Sequence, residues 1–175
     1  RIAVGYLEAL DKDRRWGPAV DILSSKDLGQ LQSPDLQDIT NGALWRVAWS
    51  SDGQYLYATG TWRVGSRYPI VRWGDKGLGK PKTIGGVDSV NMRLVALPRG
   101  GFVYSNQFPY FAAFSTNGRK LFENRAPVAD FTDIGDQFGV SSDGLTVGFS
   151  YKSSGSDPAY FMLAEQSLGK RIKQR

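Results

Sequence analysis

Ser50-Ser51-Asp52-Gly53 recurs as Ser141-Ser142-Asp143-Gly144, and Leu97-Pro98-Arg99-Gly100 stands between them as a degenerate copy. The three glycines are 47 and 44 residues apart. Each copy separates two runs in which apolar and polar residues alternate, as in residues 44–49 before the first and 55–59 after it. Alternation at period two marks a half-buried strand. Glycine supplies the positive φ that a tight hairpin demands, and aspartate hydrogen-bonds its own backbone in such turns. The phrase therefore reads as the hairpin between the first two strands of a repeated unit.

Pro18, Pro69, Pro109 and Pro158 keep the same time, with steps of 51, 40 and 49 residues. Each ends a polar, turn-rich stretch at the point where a third strand should open. Several short strands repeated every roughly 40 to 45 residues is the spacing of four-stranded propeller blades. The expected fold is all-β, a partial β-propeller of antiparallel four-stranded blades with about three and a half of them present. The blades fall at 1–32 (partial), 43–84, 91–123 and 136–166, with 167–175 as a basic tail.

Within these units the alternation predicts strands at 2–6, 19–23 and near 28–31, then at 44–49, 55–59 and 70–73, with 82–84 a weak fourth. The third unit reads 92–97, 102–104, 111–114 and 120–123, with Asn117-Gly118 as a two-residue hairpin signal between its last two strands. The last reads 138–141, 146–151 and 159–163. No stretch carries a sustained helical stripe.

With 175 residues, 41% of them hydrophobic, the chain has the bulk of one globular domain. It has no cysteine, which excludes a disulfide framework and suits a reducing compartment. No run reaches the roughly 18 apolar residues of a membrane span and no signal peptide opens the chain, so a cytoplasmic location is expected. The net charge of +5 is partly terminal, with Lys170, Arg171, Lys173 and Arg175 in the tail, where a solvated end is the simpler reading than a nucleic-acid arm. Arg1-Ile2-Ala3-Val4-Gly5-Tyr6 matches the strand that follows the Asp-Gly turn in the other units. On that reading the chain opens in mid-blade, as part of a longer polypeptide.

Val47-Ala48-Trp49-Ser50-Ser51-Asp52-Gly53-Gln54-Tyr55-Leu56-Tyr57-Ala58 and Tyr68-Pro69-Ile70-Val71-Arg72-Trp73 resemble the bacterial WD40-like repeat propellers, whose units show a Ser-x-Asp-Gly turn and a third strand ending in Trp-Asp. Two departures are visible. The Gly-His pair of eukaryotic repeats is absent, because the chain has no histidine, and Trp73 is followed by Gly74-Asp75. The resemblance implies a propeller from a multidomain protein, some relatives of which carry a caspase-like protease domain.

Gly74-Asp75-Lys76-Gly77-Leu78-Gly79-Lys80-Pro81 has the spacing of a phosphate-binding loop until its last position, where Pro81 lacks the magnesium-binding hydroxyl. Residues 82–86 offer no helix, so a glycine-rich hairpin is expected instead. The absence of histidine and cysteine removes nucleophilic triads and the usual zinc sites. Asp35 with Asp38, and Asp130 with Asp133 and Asp136, are conceivable carboxylate pairs, but their turn-rich setting reads as backbone capping. Asp11 and Asp13 are too sparse for a calcium loop. No catalytic centre, metal or cofactor is expected in this chain.

The loops between second and third strands, at 11–17, 61–68, 105–110 and 152–157, all emerge on one face of a propeller. Three of them carry the residue types that dominate binding hot spots: Arg14, Arg15 and Trp16; Trp62, Arg63, Arg67 and Tyr68; Asn106, Gln107, Phe108 and Tyr110. The expected function is a non-catalytic protein-binding, scaffold or sensor module, with a protein or the rest of the polypeptide completing the ring as partner. A propeller that binds or processes sugar, stacking it on Trp16, Trp62 and Tyr68, is the alternative, and a regulatory propeller of a caspase-like protease is a third. Asp11, Asp13 and Asp157 dilute the cationic loops and disfavour nucleic acid.

Overall fold

The computed structural model describes residues 1–9, 16–107, 110–125, 138–149 and 159–162. Its strands form four antiparallel sheets in chain order. β1 (Ile2–Ala9), β2 (Trp16–Leu23) and β3 (Gln30–Gln32) make the first. β4 (Arg46–Trp49), β5 (Leu56–Thr59), β6 (Tyr68–Trp73) and β7 (Pro81–Val87) make the second. The third contains β8 (Asn91–Ala96), β9 (Phe102–Asn106), β10 (Tyr110–Phe114) and β11 (Lys120–Arg125), and the fourth contains β12 (Phe138–Val140), β13 (Thr146–Phe149) and β14 (Ala159–Met162). Each strand pairs with the next along the chain, so each sheet is an up-and-down meander.

What makes these sheets one fold is where their apolar faces go. Val20 and Ile22 of the first sheet share a layer with Leu56, Ala58, Val71 and Trp73 of the second. The opposite face of the second sheet, Tyr57, Ile70 and Ile84, packs on Leu94, Phe102, Tyr104, Ala112 and Phe114 of the third. Val103, Phe111 and Ala113 on the third sheet's other face meet Phe138 and Val147 of the fourth. Alternate residues of one strand thus serve two different neighbours, as Leu56 and Tyr57 do. Every blade is buried only against the blades beside it, and that is the radial stacking of a β-propeller.

The repeated phrase is a hairpin closed by its own side chains. The Ser50 hydroxyl donates to Asp52 Oδ1 at 2.6 Å and accepts the Tyr55 amide at 2.9 Å, while Asp52 Oδ1 also accepts the Gln54 amide at 3.0 Å. Ser141 and Asp143 repeat this with the amides of Thr146 and Leu145 at 3.0 and 2.9 Å. Gly53 and Gly144 take φ of 67° and 72°. The two-residue hairpin expected at Asn117-Gly118 is instead a further copy of this wider turn. Ser115 Oγ bonds Asn117 Oδ1 at 2.5 Å and accepts the Arg119 amide at 3.1 Å, so asparagine replaces aspartate on a different pair of strands.

These bonds hold the carboxyls of Asp52 and Asp143 below the ordinary aspartate range, the serine hydroxyl being the larger cause and the backbone amide the next. A carboxyl whose folded value is depressed stabilises the fold above its unfolded value of about 3.9, and that contribution is lost as pH falls through the folded value. The double variant Asp52→Asn, Asp143→Asn should therefore show a shallower fall of melting temperature between about pH 5 and pH 2 than the parent. An unchanged acid profile would remove these turns as a source of acid sensitivity.

The weak fourth strand at 82–84 proves to be β7, seven residues long. Pro69 opposes it and has no N–H to give the ladder. The register accordingly slips: Ile70 pairs with Ile84 but Tyr68 pairs with Val87, leaving Gly85 and Gly86 as a bulge at φ of 61° and 131°. The glycine-rich stretch before it is the expected hairpin, with a single 3-10 turn at Asp75–Gly77 and no helix after it. Asp35 caps locally as expected, accepting the Gln37 amide at 2.9 Å. Residues 130, 133 and 136, and the tail at 167–175, lie outside the described residues.

Candidate binding face and inter-sheet cleft

The β5–β6 loop and the described start of the β9–β10 loop lie at the same end of the sheets as the link between β7 and β8. The Asn91 amide donates to the Gly60 carbonyl at 3.3 Å and the Gln107 amide to the Val90 carbonyl at 2.8 Å. The opposite end holds the serine turns, where the Lys76 amide reaches the Gln54 carbonyl at 2.9 Å.

At the first end the β5–β6 loop is a small hairpin in its own right. Val64 and Arg67 exchange both backbone bonds, at 2.9 and 3.2 Å, around Gly65-Ser66. Its base is clasped by Asn41, whose side chain accepts the Arg63 amide and donates to the Arg63 carbonyl, both at 3.1 Å. The loop is thus braced at its tip and its base, and it holds Arg63, Val64 and Arg67 in solvent, Val64 being 56% exposed.

The expected face is assembled in part. Trp16 is 59% exposed, Arg63, Arg67 and Gln107 are exposed, and Tyr68 and Tyr110 are half-buried. Arg14, Arg15 and Phe108 lie outside the described residues. Two members are corrected. Trp62 is only 3% exposed and belongs to the layer between the first two sheets with Ile39 and Leu44, because the segment before β4 folds over it. Asn106 is 4% exposed and is the last residue of β9 rather than a loop residue, held opposite Asn91 of β8. Sequence reasoning missed Trp45, 42% exposed beside Gly60. The signal was available: Leu44 is buried, so alternation turns its neighbour outward.

A cleft of about 810 Å³ separates β7 from the third sheet. The Gly85-Gly86 bulge, Tyr104, Tyr110 and Phe114 line it, with Asn106 at one end and Lys120 and Glu123 toward the other. The Tyr104 and Tyr110 rings lie 6.1 Å apart. The Tyr110 hydroxyl donates to Glu123 Oε2 at 2.7 Å, and Lys120 Nζ stands 2.8 Å from the same oxygen. Burial first, then the neighbouring Tyr110, pushes the Tyr104 phenol far above the usual tyrosine range, so it stays a neutral hydroxyl. Arg67 and Asp88 face each other at 4.0 Å on the rim. No cluster of acidic residues among the described residues could hold a metal ion, and no helix there is long and apolar enough to cross a membrane.

The sequence matches no family profile and no curated protein. Solved structures do resemble it. Dihydro-heme d1 dehydrogenase NirN, in complex with DHE, aligns with a TM-score of 0.59 and 17% identity over 98% of this chain and 36% of its own. A gluconolactonase from Xanthomonas campestris aligns at 0.53 and 13%, over 85% of this chain and 50% of its own. TolB from Acinetobacter baumannii aligns at 0.50 and 18%, over 91% and 38%. The chain thus spans between about a third and a half of each. These neighbours are propeller-like proteins of varied function, and at such identities they show the fold and nothing finer.

Proposed function

We propose that this chain is a non-catalytic protein-binding module of a WD40-like propeller, and that it binds through the end carrying the β5–β6 hairpin. The observation that supports this is the clasped hairpin itself. Arg63 and Val64 are presented to solvent by a loop whose backbone bonds are already made, so little ordering entropy remains to be lost on binding. Arginine with an exposed aliphatic side chain, and exposed Trp16 and Trp45 on neighbouring segments, suits a partner that offers carboxylates beside apolar groups. The Ser-x-Asp-Gly geometry supports the WD40-like assignment. The sugar alternative in its original form loses a platform, since Trp62 is buried.

The test is a comparison of the parent with the double variant Arg63→Ala, Val64→Ala as immobilised baits in lysate, with crosslinking before identification. A protein held by the parent and lost by the variant, at equal melting temperature, supports the reading. Identical captures from the two baits, or none from the parent, would sink it.

A further inference from the structure

The cleft between β7 and the third sheet opens beside the loop face and shares Arg67 and Tyr110 with it, but its chemistry differs. Its volume, about 810 Å³, lies within the roughly 300 to 1,000 Å³ of small-molecule sites. Tyr104, Tyr110 and Phe114 give it aromatic walls. The bulge at Gly85-Gly86 turns two backbone units out of the β7 ladder beside them, and Phe114 Cζ lies only 3.1 Å from where a side chain at Gly85 would begin. The Phe114 ring thus lies against the bulge, with Arg67 and Pro69 at 3.4 and 3.7 Å from where a side chain at Gly86 would begin.

Two features narrow the occupant. Its charges are matched in pairs, Lys120 with Glu123 at 2.8 Å and Arg67 with Asp88 at 4.0 Å, so neither an anion nor a cation meets an uncompensated opposite charge. Asn106 is buried at the end of the cleft, and its Oδ1 has no hydrogen-bond partner among the described residues. A buried polar atom left unpaired costs free energy that a suitable donor recovers. The end of the cleft at Asn106 therefore favours an occupant that carries hydrogen-bond donors. Neutral hydroxyls meet all of these demands at once: they donate to Asn106 and Glu123, accept from Lys120 and the bulge amides, and leave a C–H face for the Tyr110 ring.

We infer that this cleft binds a neutral, polyhydroxylated small molecule of monosaccharide size. The lining does not include Arg63 or Val64, on which the protein-binding reading is tested, so failure of this inference would leave that reading untouched.

The experiment is amide NMR of the full chain, titrated with five probes of one carbon frame: D-glucose, N-acetyl-D-glucosamine and sorbitol as neutral compounds, sodium gluconate as the anion and glucosamine hydrochloride as the cation. Expected are shifts at Gly85, Gly86 and Asn106 with at least one neutral probe, and binding weaker by about tenfold for both charged ones. Tyr110→Ala should weaken the neutral probe by about tenfold. Glu123→Gln, a half-exposed position, serves as the second variant and should weaken it several-fold without loss of fold. Absence of shifts with all neutral probes overturns the inference. So does tighter binding of either charged probe, or titration unchanged in a folded Tyr110→Ala or Glu123→Gln protein.

Discussion

Replacing Trp73 with alanine is expected to cost about 3–5 kcal/mol of unfolding free energy, a large share of the roughly 5–15 kcal/mol that holds a typical domain together. The indole is fully buried in the layer between the first two sheets, among Ile22, Leu56 and Val71. It is too large a volume for its neighbours to refill by relaxation, so a cavity term adds to the lost transfer energy. Its Nε1 also donates to the Asp35 carbonyl at 2.7 Å, which ties the segment between β3 and β4 to the second sheet. Trp73→Phe separates the two contributions: it keeps most of the apolar volume but leaves that carbonyl unpaired, for about 1–3 kcal/mol. Urea denaturation of both variants measures the pair of losses. A Trp73→Ala loss under about 1 kcal/mol would mean that the first sheet is not locked against the second, contrary to the layer described.

The second sheet and the third are joined by a different device. Arg72 donates to the Thr116 carbonyl in the turn of the next sheet, and its guanidinium lies 4.8 Å from the centre of the Tyr55 ring. Behind it, Tyr57 and Phe102 are 4.6 Å apart in a tilted pair, and Phe102 stacks on Phe114 at 5.4 Å. Burial pushes the Tyr57 phenol up to about 12. Neighbouring sheets are therefore not interchangeable copies: one junction is aliphatic around the buried Trp62 and Trp73, the next is rich in tyrosine and phenylalanine.

This difference explains what could be read in the sequence. The period was legible because the serine turn is local chemistry, with Ser50, Asp52 and Tyr55 bonding within one short loop. The strands β5, β6 and β10 were legible because each is a short, mostly apolar run bounded by turn residues. β7 was half-hidden, since the bulge opposite Pro69 puts two glycines where an alternating strand should show side chains. The loop residues were legible only as types. That Trp62 is buried is decided by the segment at 33–45, which packs Ile39 and Leu44 with it, and no local pattern encodes that crossing. Asn106 looked like a loop residue because its strand partner, Asn91, is remote in the chain. The cleft could not be read at all, because its walls belong to two blades.

The crossing segment yields the second large effect, at Gly42. Its φ is +66°, and a Cβ there would overlap the Thr61 carbonyl and lie 2.6 Å from the Trp62 nitrogen. Neither atom can retreat freely, since the Thr61 and Trp62 amides both donate to the Ala43 carbonyl, at 3.0 and 3.2 Å. Gly42→Ala therefore adds backbone overlap to the roughly 1–2 kcal/mol of left-handed strain, and a total near 3 kcal/mol is expected. Gly53→Ala supplies the reference, because it has a similar φ of +67° but nothing within 4 Å of the added carbon. It should lose only the strain, about 1–2 kcal/mol. The excess at Gly42 measures the fit of the segment against the β5–β6 hairpin. Because Asn41 is the clasp of that hairpin, the same substitution should also abolish whatever binding Arg63→Ala, Val64→Ala abolishes. Equal losses at the two glycines would show that the segment yields, and a hairpin whose support yields is not preorganised for a partner.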